Sequence, residues 1–524
     1  MDIARSIPMW LLPVVGIVGV LVIKSSASAR QFIIGNPHRL GLPPGPSLWH
    51  VMKGILFTMD PYQPWLLFTE WNKRYGHLTY FDIGQRMLII DSEHIARELL
   101  DKRSAKYSGR PEFPTMSLYG WGFTTIALHY NDKWRQHRRF YQHGFRLEAL
   151  LNWRPFQLRH AHTLLLNLLS SPGQAADHFA TFTASTVMAA TYGYATLPRD
   201  DPLLDIVNRT MAIFAQSTTM FNLIFFSTFR FLEYLPTWLP GLSFYRDAPV
   251  SRKNVRKMLD APFEFVEKSM ADGSAEPSLV SEFLARMSEG EGNRLFDQEI
   301  LKEVAASAFS AGVESTSSVL VAFLLAMTMH PRVQERAHSE IDAVVGRGRL
   351  PNFDDRASLP YVEAVLRETL RWFSSVPAGK YMRVAHATTE DDVYNGFFIP
   401  KKTIVMVNVW AIAHDESRYQ DPHIFNPSRF LTPEGKLTDD NMYYVFGFGR
   451  RICPGRHLAE AAMWIAATSI LAAFQIRKAK NECGEDIEII PQFTRGQLVR
   501  PAPFMYEITP RSDVELEKLV RIKD

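Results

Sequence analysis

Apolar residues recur at three- and four-residue intervals over most of the chain, the spacing of helices that bury one face. The longest such pattern runs from about Asp297, a residue able to cap it, to His330, where Pro331 stops it. Alternating or β-branched runs are fewer: HLTYFDIG, RMLIID, TIVMVNVW and FMYEITP predict short strands. The composite is mainly α with small β-sheets. Loops are predicted at Met270 to Ser278 and Met287 to Arg294, but neither reads as a linker, so residues 47–524 form one large domain.

The first apolar run is of another kind. Ile7 to Ile23 carries no charge and as a helix would span roughly 25 Å at about 1.5 Å per residue, just enough to cross a bilayer. A cleaved signal peptide is the alternative reading. The run is long for one, and KSSASARQF offers a poor cleavage site, which favours a retained anchor. Lys24, Arg30, His38 and Arg39 follow the span and Arg5 precedes it, so the positive-inside rule puts residues 1–6 in the lumen and the bulk of the chain in the cytosol. Residues 24–46 form a basic, Pro/Gly-rich hinge ending in LGLPPGP. On this topology the Asn208-Arg209-Thr210 sequon stays unglycosylated.

Composition narrows the partners. The 524 residues are 46% hydrophobic and 12% aromatic, enough for a large core, and a net charge of +3 without a basic–aromatic block argues against nucleic acid. Two cysteines, Cys453 and Cys483, are too few for a disulfide scaffold and suit a reducing compartment.

One of these cysteines stands in an unusual setting, FGFGRRICPGRHLAE (Phe446 to Glu460). Gly447, Gly449 and Gly455 allow tight or positive-φ backbone, Pro454 suits a helix start, and the continuation is strongly helical. The sulfur is thus expected near a helix N-terminus, where free N–H groups favour a thiolate. An inert buried cysteine, a Cys453–His457 nucleophile pair and a two-ligand metal site remain open at this level, the last two lacking a third group nearby.

Phe446, Gly449, Arg451, Cys453 and Gly455 match every fixed position of FxxGxRxCxG, and in this the chain resembles the cytochrome P-450 family. The resemblance implies that Cys453 is the proximal ligand of haem b, iron protoporphyrin IX. Further motifs follow in the family's order. Glu368 and Arg371 look like its ExxR, and Arg429 of FNPSRF looks like the arginine that joins them in a buried structural triad. Trp134 and Arg138, with Arg451 and His386, are the implied donors to the haem propionates, Arg383 being an alternative to His386. AGVEST (Ala311 to Thr316) is similar to the oxygen-activating helix: Ala311 and Gly312 leave room for O2, and Glu314, Ser315 and Thr316 are the implied proton relay. Serine stands at 315 where the family more often has threonine, which leaves the coupling of oxygen reduction to substrate oxidation open.

The implied fold is the family's mainly helical triangular prism. The implied reaction inserts one atom of O2 into a C–H bond of a lipophilic small molecule and releases the other as water. No GxGxxG loop is present, so NADPH electrons would come through a separate NADPH-cytochrome P-450 reductase, with cytochrome b5 as an auxiliary partner, at the endoplasmic reticulum membrane. Pocket walls are expected at Met116 to Ala127 (with Phe123), Met220 to Phe231, Ala308, Phe309, Ala311, Val376, Gln497 and Leu498. Similarity to fungal members points to secondary-metabolite tailoring, for example of terpenoids. Hydroxylation of fatty acids, sterols or xenobiotics is the alternative within the class, and a haem-thiolate protein that binds ligand without turnover is the alternative outside it.

Overall fold

The computed structural model describes residues 36, 39–54, 63–112, 114–197, 200–217, 243–288, 294–377, 384–494 and 499–511. The expected anchor (7–23) lies outside them. The longer helices are α1 (Pro64–Tyr75), α2 (Asp132–Gly144), α3 (Leu150–Ser170), α4 (Ala175–Tyr192), α5 (Pro202–Ser217), α6 (Ser243–Ala271), α7 (Leu279–Ser288), α8 (Arg294–Met329), α9 (Pro331–Val344), α10 (Pro360–Trp372) and α11 (Arg456–Ala473). The strands are β1 (Leu78–Asp82), β2 (Arg86–Ile90), β3 (His386–Ala387), β4 (Asp392–Tyr394), β5 (Phe397–Ile399), β6 (Ile404–Val407), β7 (Phe474–Lys478) and β8 (Tyr506–Pro510). The chain is mostly helical with small sheets, as expected.

Helix α8 organises the core. It gives side chains to four hydrophobic clusters, packing on α3, α4, α10 and α11 at one end and on α5 and α6 at the other. Being buried on several sides, it is apolar nearly all round, which is why Gln298–Met329 passes for a membrane span by length and composition although 56% of its most apolar window is buried in the protein. It starts at Arg294, three residues before the expected cap Asp297. Pro331 ends it and at once opens α9 as an N-terminal proline, a place where the missing N–H costs nothing.

The main sheet runs β1-β2-β6-β3, with β2 and β6 parallel (Met87 opposite Ile404) and the other pairs antiparallel. The expected strand TIVMVNVW is only half strand, because Asn408 caps a short helical turn at Val409–Ala413 through its side chain. The end of the expected hinge is fastened to the sheets: Tyr80 N–H donates to Pro44 O and Phe398 N–H to Gly41 O, both at 2.9 Å. Gly45 must be glycine there, since a Cβ would lie 1.7 Å from Tyr80 O.

Candidate active site

Cys453 lies in a loop shaped by close backbone contacts. The chain turns through positive φ at Gly447 (+86°) and Gly449 (+56°), and Cys453 N–H donates to Phe446 O at 2.8 Å. A Cβ on Gly449 would lie 1.9 Å from Leu100 O, and its N–H donates to Asp101 Oδ1 at 2.5 Å. Gly455 departs from expectation: its φ is −88°, a Cβ there meets nothing, and α11 begins after it at Arg456, not at Pro454. The sulfur departs too. Burial pushes the Cys453 thiol up, and the Gly455 N–H with the charges of Arg138 and Arg456 offsets this only in part. Among the described residues no three His, Cys, Asp or Glu side chains gather as a metal site; the acid nearest to His457 is Glu460, 3.8 Å from its Nδ1.

Behind the loop, Glu368 and Arg371 are fully buried on α10, joined by two bonds of 2.7 and 2.8 Å. Arg429 Nε approaches the same carboxylate at 3.2 Å, and Asn426 N–H donates to it at 2.8 Å. Remaining donors reach carbonyls, Arg371 to Ala413 O and Arg429 to Gln420 O, each at 2.9 Å.

A second buried group is differently made. Asn131 caps α2 by accepting from Trp134 N–H at 3.0 Å, which sets Trp134 and, one turn on, Arg138 toward the cysteine loop. Arg138 donates to Ile452 O at 2.7 Å, and Arg451 lies over the Trp134 ring at 4.5 Å while donating to Ser108 O and Leu128 O. His386, buried on β3 and not exposed, has Nδ1 2.7 Å from Tyr107 O, so Nδ1 carries the proton. Arg110, which sequence reasoning missed, is buried beside them and donates to Ile126 O, Val384 O and Ala385 O. The guanidiniums of Arg110, Arg138 and Arg451 donate to carbonyls, and among the described residues no carboxylate pairs with any of them. Burial, and then the neighbouring charges of Arg110 and Arg138, pulls Arg451 down; burial, with Arg110 and Arg451 adding, pulls His386 down to about 3. A guanidinium keeps its proton regardless, so this is uncompensated positive charge. Ser108 Oγ is buried without a partner at the same place.

Along α8, Ala311 and Glu314 are exposed although Val319 to Met327 of the same helix are core, so the helix borders open space here. Ser315 Oγ donates to Ala311 O at 3.0 Å, whereas Thr316 is buried. Although Glu314 is exposed as a residue, the protein around its carboxyl partly desolvates it and raises it, with Arg500 a smaller opposing influence. Gly312 also serves the packing of α4: a Cβ there would meet Val187 Cγ2 at 2.9 Å. Phe123 is buried, with its ring 6.0 Å from Trp121, Phe309 packs in the same cluster, and Ala308 and Val376 are half-buried. Arg383, Gln497, Leu498 and Met220 to Phe231 lie outside the described residues.

A model of the cytochrome P450 family matches residues 43–507. The chain is a cytochrome P450. Curated relatives cover most of both chains: cytochrome P450 monooxygenase claR of Ampulloclitocybe clavipes is 35% identical over 92% of this chain and 89% of its own length. Cytochrome P450 monooxygenase COX2 of Coprinopsis cinerea is 36% identical over 90% and 89%, and ppsD of Aspergillus oryzae 34% over 92% and 90%. As a cytochrome P450 monooxygenase it takes haem, and the donor set suits that group: two propionates would neutralise the guanidiniums that no acid among the described residues meets. Arg110 escaped the sequence reading because nothing local marks it; only the fold brings residue 110 beside residues 386 and 451.

Proposed function

We propose that this cytochrome P450 hydroxylates a lipophilic small molecule, drawing NADPH electrons through a separate reductase at the endoplasmic reticulum membrane, to which residues 7–23 anchor it. The reading is supported above all by the cysteine loop and the unmatched cation cluster meeting through Arg138 and Arg451. Haem bound there supplies reductive activation of O2. Cys453 would hold its iron through the sulfur, in a loop shaped by Phe446, Gly449 and Gly455. Trp134, Arg138, Arg451 and the added Arg110 would hold the propionates, with His386, its Nδ1 proton on Tyr107 O, beside them. Ser315, its hydroxyl on the Ala311 carbonyl, and Glu314, whose carboxyl burial raises, deliver protons; Thr316, being buried, is the lesser candidate. Glu368, Arg371 and Arg429 hold the fold beneath the loop.

The apolar wall around Phe123, Ala308, Phe309 and Val376 favours a substrate of terpenoid character, as in fungal secondary metabolism. The deciding experiment is the carbon-monoxide spectrum of the reduced protein, in which thiolate ligation displaces the Soret band to longer wavelength. Cys453→Ala should abolish that band, and a variant that keeps it would overturn the assignment. Product measured against NADPH consumed then separates turnover from mere ligand binding.

A further inference from the structure

The loop 121–131 carries Phe123 on one side and the Ile126 carbonyl that receives Arg110 on the other. Packing alone does not hold it. A cavity of about 290 Å³ undercuts it, lined by Gly122, Ile126, Ala127 and Leu128 together with Arg110 and Met116. What holds it is Thr125, whose three polar atoms are each engaged by a different part of the molecule. Its N–H donates to Ser307 Oγ of α8 at 3.3 Å, and its carbonyl faces Arg451 of the cysteine loop at 3.5 Å. Its hydroxyl lies 2.9 Å from His137 Nδ1 and 3.0 Å from Tyr141 Oη, both on α2.

The direction of these bonds is fixed from the far end. His137 is fully buried, with Nε2 3.2 Å from Glu303 of α8, and Glu303 also takes Lys133 Nζ at 2.7 Å. A carboxylate only accepts, so Nε2 carries the imidazole proton, and Nδ1 must accept from the Thr125 hydroxyl. Burial lowers the His137 pKa, which keeps the ring in this neutral form. The chain Glu303, His137, Thr125 thus has one polarity and ties the loop to two helices at a single residue.

We propose that Thr125, His137 and Glu303 are positioning residues that fix the loop forming the inner wall of the substrate cavity and so determine which ligand sizes the site accepts. This rests on the haem-thiolate reading above. A small ligand of the iron would not feel the wall, whereas a large one would press on Phe123.

The test uses the holoenzyme and two nitrogenous iron ligands of different bulk, imidazole and clotrimazole, with dissociation constants read from the Soret shift. Thr125→Val keeps the shape and removes the hydroxyl, leaving His137 Nδ1 without its donor. It should raise the clotrimazole constant about tenfold while imidazole stays within about a factor of two, because one buried network bond is worth roughly that ratio. Thr125→Ser should restore wild-type values, a rescue that lost bulk would not show. His137→Gln, which shortens the chain of bonds, should move the same ratio if the threonine variant fails to accumulate. An unchanged clotrimazole-to-imidazole ratio in a pigmented variant overturns the proposal. A wild-type protein with no azole-induced shift would instead overturn the haem-thiolate reading itself.

Discussion

Two buried charge clusters flank the cysteine loop, and they are built on opposite plans. In the one around Glu368, a carboxylate sits between two guanidiniums, the acid accepts from both arginines and from Asn426 N–H, and the remaining donors end on carbonyls. In the other, Arg110, Arg138, Arg451 and His386 converge without an acid among the described residues. The first is complete with protein atoms alone. The second has its charge balanced only when something anionic arrives. A satisfied cluster serves the fold and an unsatisfied one serves a ligand, a distinction that residue types by themselves do not draw.

Substitutions should separate the two. Glu368→Gln strands Arg371 without its counter-charge and should cost about 3–5 kcal/mol, read as a lowered urea midpoint or no recoverable pigment; a loss under about 1 kcal/mol would erase the contrast. Arg451→Leu should leave the unfolding midpoint nearly unchanged but speed haem transfer to apomyoglobin about tenfold or more, as one charge-assisted bond of about 1.5–3 kcal/mol disappears. Equal loss of stability and haem would show both clusters to be structural. In haem-free protein His386 should give a pH signature. Its ring protonates at about 3 when folded and near 6.5 when unfolded, so stability is full above pH 6.5 and falls as the pH drops, by up to about 2 kcal/mol at pH 5. Urea titrations at pH 7 and 5 should show that slope reduced in His386→Asn. The smallest effect is a control: Arg209→Ala breaks the exposed Asp205 pair, 2.8 Å long, and should cost no more than about 0.5 kcal/mol.

What the sequence made legible was local. The cysteine signature, the Glu368–Arg371 spacing and Trp134 with Arg138 each lie within a turn or a loop, where neighbours in sequence are neighbours in space. Arg429 and His386 were reachable through resemblance. Arg110 and the Thr125–His137–Glu303 chain were not, because each depends on elements brought together only by packing. Local reading also erred at a helix start. Gly455 needs no special φ, α11 beginning only after it at Arg456.

The parallel pairing of β2 with β6 has a consequence for synthesis. Met87 leaves the ribosome long before its partner Ile404, and at about 5–20 residues per second the wait is on the order of tens of seconds. Throughout that interval the β1–β2 hairpin, rich in Leu and Ile, exposes an unpaired edge. A nascent chain of this design needs protection by chaperones before the last third of its sequence exists.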